Sequence, residues 1–161
     1  MNDVSQLVAQ AKRDTEAAKA DLLRTFAFVP DDKLTWSPSP TARSAIQIVA
    51  HCGLANSAFS GLLRGEPLPL PADPAEAAAQ IRAAGRDVAS REEAVRLVEE
   101  GTARVIAALD RVTPEMVATT PDSPFGPLPF PVWMTISALH MAGHARQVDY
   151  IQTVWGDVDD H

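Results

Sequence analysis

The chain has 161 residues, 46% of them hydrophobic and 22% charged, a balance that excludes intrinsic disorder and suits one folded domain spanning 1–161 with one sizeable core. Its net charge is -7, and basic residues such as Arg13, Arg24, Arg43, Arg64 and Arg82 are scattered along the sequence. Nucleic-acid binding needs a basic face that displaces counterions from phosphates, so neither DNA nor RNA is an expected partner, and anionic membrane surfaces are disfavoured by the same charge.

Four long segments carry helical periodicity, and no run of alternating β-branched residues bounded by turns is found. The first is predicted from about Asp3 to Phe28, with Leu7, Ala11, Thr15, Ala18, Leu22 and Phe26 at three- and four-residue spacing, and it ends before Pro30. A second begins after Pro40, where Ser44 and Gln47 have capping-box spacing, and carries Ile48, Cys52, Ala55, Phe59 and Leu62 as far as Gly65. Pro67, Pro69 and Pro71 then make an extended connection. Asp73 and Pro74 have the pattern of an N-cap and first turn, opening a short helix with the sequence AEAAAQIRAAGRD. Ser90 and Glu93 open the third long helix, with Ala94, Leu97, Val98, Val105, Ile106 and Leu109 toward the core. Thr113 and Pro114 start another turn or two, and the proline-dense stretch from Thr119 to Pro131 is read as loop. The fourth long helix is predicted from Val132 to Trp155, with Gly156 as its stop.

Four amphipathic helices of about 30 Å bury their stripes by packing together. The expected fold class is therefore all-α, a four-helix bundle. About twenty-five residues separate the second and third long helices, enough to cross the bundle's full length, so one long crossover is expected between them. The N-terminal segment lacks a signal-peptide core and no apolar run is read as approaching the ~18 residues of a membrane span, which gives a cytoplasmic expectation. Cys52 is the only cysteine, so neither an intrachain disulfide nor a CxxC site can form, and any metal must sit on nitrogen and oxygen.

His140 and His144, in LHMAGHARQ, are four residues apart, which puts both imidazoles on one face of a helix. Met141 stands where an HExxH metalloprotease has its general-base glutamate, so zinc protease chemistry is set aside. A third histidine, His51, sits in the middle of another long helix beside Ile48, Val49 and Ala55. Three histidines plus an open position is the usual composition of a catalytic metal site; the alternative is three hydrogen-bonded core histidines in a plain helical dimer. Cys52 points about 100° away from His51 and is read as a small core residue. Gln147 and Asn56 are candidates to touch a substrate or a ligated water, and Asp149 and Tyr150 to hydrogen-bond an imidazole. Trp36 and Trp133 are expected as core anchors, and Phe125 and Phe130 as walls of a pocket mouth. His161, at the end of the chain, is expected to lack a fixed place.

The WSPSP stretch from Trp36, the helix SAIQIVAHCGLANSAFSGLL and the late helix LHMAGHARQVDYIQTVWGD together resemble the DinB-like (YfiT-like) superfamily of metalloenzymes, over almost the whole length from Leu7 to Asp157. The resemblance implies a four-helix bundle with His51, His140 and His144 as ligands of one divalent metal, zinc or nickel. It implies a small-molecule substrate and either hydrolysis or S-transfer from a low-molecular-weight thiol, the thiol then being a further cofactor. No side chain is assigned as catalytic; the expected nucleophile is a water or thiolate on the metal. The rival function is a non-catalytic, stress-related bundle that binds a metal or ligand. A homodimer through helix faces is also expected, because relatives often pair.

Overall fold

The computed structural model describes residues 4–159 and 161. Its regular elements are all helical: α1 (Val4–Ala27), α2 (Ala45–Leu63), α3 (Pro74–Ala83), α4 (Arg91–Leu109), α5 (Pro114–Val117) and α6 (Phe130–Val154), with one 3-10 turn at Asp31–Lys33. The predicted start of α1 at Asp3 lies outside the described residues.

Local chemistry explains the boundaries. The Ser44 backbone N–H donates to Gln47 Oε1 at 3.1 Å where α2 begins. Asp73 Oδ1 accepts from the N–H groups of Ala75 and Glu76 at the start of α3, and Ser90 Oγ accepts from Glu93 N at the start of α4. Two expectations are corrected. Helix α6 begins two residues early, at Phe130, because Pro131 occupies its first turn, where no N–H is needed. Helix α3 stops at Ala83 rather than running on to Asp87, because Gly85 adopts φ 80° and turns the chain.

The four long helices pack in the cyclic order α1, α6, α2, α4. One apolar cluster joins the C-terminal half of α1 (Leu22, Phe26) and of α6 (Val148, Ile151) to the N-terminal half of α2 (Ile46, Val49) and of α4 (Ala94, Val98). A second joins the opposite ends through Ala11, Leu63, Leu109 and Trp133. Hence α1 and α6 run one way, and α2 and α4 the other. Since α2 and α4 are neighbours running in the same direction, the segment joining them must travel the length of the bundle, which is the expected crossover; α3 lies within it.

The core is divided rather than continuous. Between the two clusters is a layer of small and polar side chains, including buried Thr15, Asn56, Thr102 and Ser137. Asn56 Nδ2 donates to Thr102 Oγ1 at 3.1 Å and lies 3.3 Å from Met141 Sδ. In this layer α2 and α4 meet backbone to backbone: a Cβ on Gly53 would stand 2.3 Å from Leu97 C, and one on Gly101 would stand 2.3 Å from Gly53 O.

Helix α2 also corrects the reading of apolar runs. Its 19 residues are long and apolar enough by length and composition to cross a membrane, although 67% of that stretch is buried inside the bundle. Packing against both α4 and α6 accounts for its apolar character.

Candidate metal centre

The three histidines converge. His51 is on α2, and His140 and His144 lie one turn apart on α6. One nitrogen from each ring lies within 4.8 Å of those of the other two, and the ring centroids are 4.4 to 5.1 Å apart. His140 Nε2 and His144 Nε2 stand 3.1 Å from each other. Two nitrogens bound to one tetrahedral zinc are about 3.4 Å apart, so the pair fits a shared cation with little movement. His51 is buried, while the other two are half-buried.

His144 Nδ1 lies 2.7 Å from Gln147 Oε1. The amide oxygen only accepts, so this contact fixes the proton on Nδ1 and frees the Nε2 lone pair to face the site. The imidazole–imidazole contact is then completed by His140 Nε2–H, which leaves His140 Nδ1 buried with no hydrogen-bond partner. An orphaned ring nitrogen in such a place costs free energy in a purely structural histidine cluster.

All three imidazoles are held in the neutral form. Burial pushes His51 down to about 4, with the charge of Arg43 and then His144 adding to the effect. Burial pushes His140 down to about 3, helped by its two histidine neighbours and Arg43. His144 is also lowered by burial, against the opposing effect of its hydrogen bond to Gln147. Arg43 Nη2 lies 3.4 Å from His51 Nδ1. It also donates to the carbonyls of Ile81 and Arg82 at the end of α3, tying the crossover to the start of α2.

His51 and His140 form part of the wall of a cavity of about 540 Å³. The rest of the lining is almost wholly apolar: Phe59 and Trp133 from α2 and α6, Leu68, Leu70 and Ile81 from the crossover, and Phe125 and Leu128 from the proline-rich loop. Among the described residues, no titratable side chain lines it apart from the histidines. Phe59 stands edge-on to His140 at 5.6 Å between centroids.

The remaining candidates separate clearly. Gln147 meets a site histidine, whereas Asn56 is fully buried in the mid-bundle layer. Cys52 is fully buried and its thiol is pushed far up by burial, in keeping with a core role. Asp149 accepts from the His161 backbone N–H rather than from a site imidazole, and Tyr150 is exposed. Phe125 lines the cavity as expected, but Phe130 does not: it is buried in the second apolar cluster. Trp133 is a buried anchor that also lines the cavity, while Trp36 is partly buried and packs edge-on against Trp155. His161 stacks on Phe28 at 4.1 Å and its Nε2 lies 3.0 Å from Asp157 Oδ2, so the expectation of a loose end is overturned. Sequence reading missed Arg43, whose contact with His51 depends on the path of the crossover and leaves no mark in residue spacing.

Residues 14–148 match the sequence model of the DinB superfamily. The chain belongs to that superfamily. Among solved structures it is similar to a conserved protein from Enterococcus faecalis, with TM-score 0.69 and 16% identity over 92% of this chain and 97% of the other; at that identity the likeness concerns the fold. No curated protein matches the sequence.

Proposed function

We propose that this DinB-superfamily chain is a metal-dependent enzyme acting on a small molecule, with His51, His140 and His144 holding one divalent cation, zinc or nickel. The observation that carries the reading is the meeting of three imidazole nitrogens within 4.8 Å, two of the rings, His51 and His140, lining an apolar cavity of about 540 Å³. Such an ion, when bound, lowers the pKa of a water or thiol toward neutrality, which serves hydrolysis and thiol S-transfer alike. The chain's own residues bind and orient. Gln147 holds His144 in the tautomer with a free Nε2, while Phe59, Trp133 and Leu128 exclude water and take the substrate's apolar body.

A second reading, a non-catalytic bundle that binds a metal or ligand, draws support from the cavity wall, where the described residues supply no acid or base besides the histidines. Elemental analysis of untagged protein, followed by hydrolysis and thiol-conjugation assays with several cellular thiols, separates the two. About one equivalent of zinc or nickel and metal-dependent turnover are expected. Metal without turnover selects the second reading, and absence of metal overturns both the ligand assignment and the enzyme.

A further inference from the structure

A second cleft, of about 510 Å³, is lined by Arg43, Arg82, Arg86 and Arg146 together with Gln147 and Tyr150. These arginines come from three separate stretches of the chain, Arg82 and Arg86 being four residues apart, and the fold gathers them where α3 and the turn after it pass over the start of α2 and the last turns of α6. Among the described residues, no aspartate or glutamate lines the cleft. Arg146 is paired with Asp21, but the other three have no carboxylate partner among the described residues. Arg43 and Arg86 donate to main-chain carbonyls, Arg86 to those of Thr41 and Arg82. The Arg82 guanidinium is exposed and makes no hydrogen bond or ion pair among the described residues. In a chain of net charge -7, three uncompensated guanidiniums in one concavity form a local cationic site.

The cleft adjoins the histidines without sharing their cavity. His51 and His140 line the apolar chamber, whereas Arg43, which touches His51, and Gln147, which touches His144, line the cleft. We infer that the arginine cleft binds a small oxyanion, a carboxylate or phosphate group carried by a substrate or cosubstrate, with Arg82 as its freely available ligand. Guanidinium forks match the paired oxygens of both groups. The inference does not rest on the metal reading, since none of the four arginines is a proposed metal ligand.

The test uses the full chain with metal removed by a chelating resin, because a soluble polycarboxylate chelator would compete for the cleft. Inorganic phosphate and succinate are titrated separately by calorimetry at constant ionic strength into wild type, Arg82→Ala, Arg82→Glu and Arg13→Ala, the last removing an exposed arginine of α1 that does not line the cleft. Saturable one-to-one binding of at least one probe is expected, and which probe binds tells phosphate from carboxylate. Arg82→Ala should weaken it by about tenfold or more, the loss of one hydrogen bond to a charged group, and Arg82→Glu should abolish it. Arg13→Ala should leave it in place. No saturable binding by wild type, equal affinity in Arg82→Glu, or an equal loss in Arg13→Ala would each overturn the inference. Because the measurement is made without metal, failure of the metal reading cannot produce any of these results.

Discussion

His51 is neutral in the fold because burial and the charge of Arg43 disfavour a second proton, and this has a consequence for stability with a definite sign. Its value falls from 6.5 to about 4 on folding. Between those values the unfolded chain binds a proton that the folded chain refuses, so stability is lost as pH falls through that window and is unaffected above it. His140, at about 3, adds a similar contribution over a wider range. In metal-free protein His51 and His140 should each contribute a slope of up to about 1.4 kcal/mol per pH unit within its window. Urea melts from pH 7 to 4 should show this slope, and His51→Ala should flatten part of it; a wild-type profile without slope above pH 4 would contradict the burial argument. Low values also mean that protons compete weakly for the same nitrogens. Metal should therefore still bind at pH 5.5, where free histidine is largely protonated. Gln147 acts through one bond, its Oε1 accepting from His144 Nδ1. Gln147→Ala should lower metal affinity by about ten- to hundredfold, while the metal-free melting temperature changes little because the side chain is exposed.

The packing of whole elements depends on two glycines that have no special backbone angle. Gly53 and Gly101 let α2 and α4 touch backbone to backbone, and a methyl group on either would fall 2.3 Å from main-chain atoms that cannot step aside. Gly53→Ala and Gly101→Ala should each destabilise the fold by about 1–3 kcal/mol or more through overpacking, read as a lower urea midpoint with an unchanged m-value. Gly85 is different: φ is 80° and a Cβ would stand 2.8 Å from His51 N, so its substitution should also disturb the crossover above the site. The helices themselves were legible in the sequence, because capping residues such as Ser44 and Asp73 and the proline clusters mark their ends locally. The histidine pair on α6 was legible from its four-residue spacing. The glycine contact, the Arg43 clasp and the arginine cleft were not, since each depends on which helix becomes a neighbour, and residues such as Arg43 and Arg82 look scattered until the crossover brings them together.

At the scale of the whole molecule, metal binding and folding must be linked if the three histidines act as a set. They come from the N-terminal half of α2 and from the middle of α6, so the unfolded chain cannot present them together, and an ion held by all three stabilises only the folded bundle. At free metal 100 times its dissociation constant the gain is about 2.7 kcal/mol, which corresponds to a rise in melting temperature of roughly 5–11 °C for a chain of this size. Alanine at His51, His140 or His144 should reduce or remove this rise, whereas His161→Ala should retain it, because His161 packs on Phe28 instead. His161→Ala should act on stability alone: losing the stack and the Asp157 contact should lower the melting temperature to the same extent with and without metal. A core-histidine cluster without a metal would give that same pattern, a shift independent of added ion, at all four positions. Melting wild type and the four variants, each with added zinc or nickel and after metal removal on a resin, therefore decides between a ligand set and a packed cluster by whether the first three variants part from the fourth.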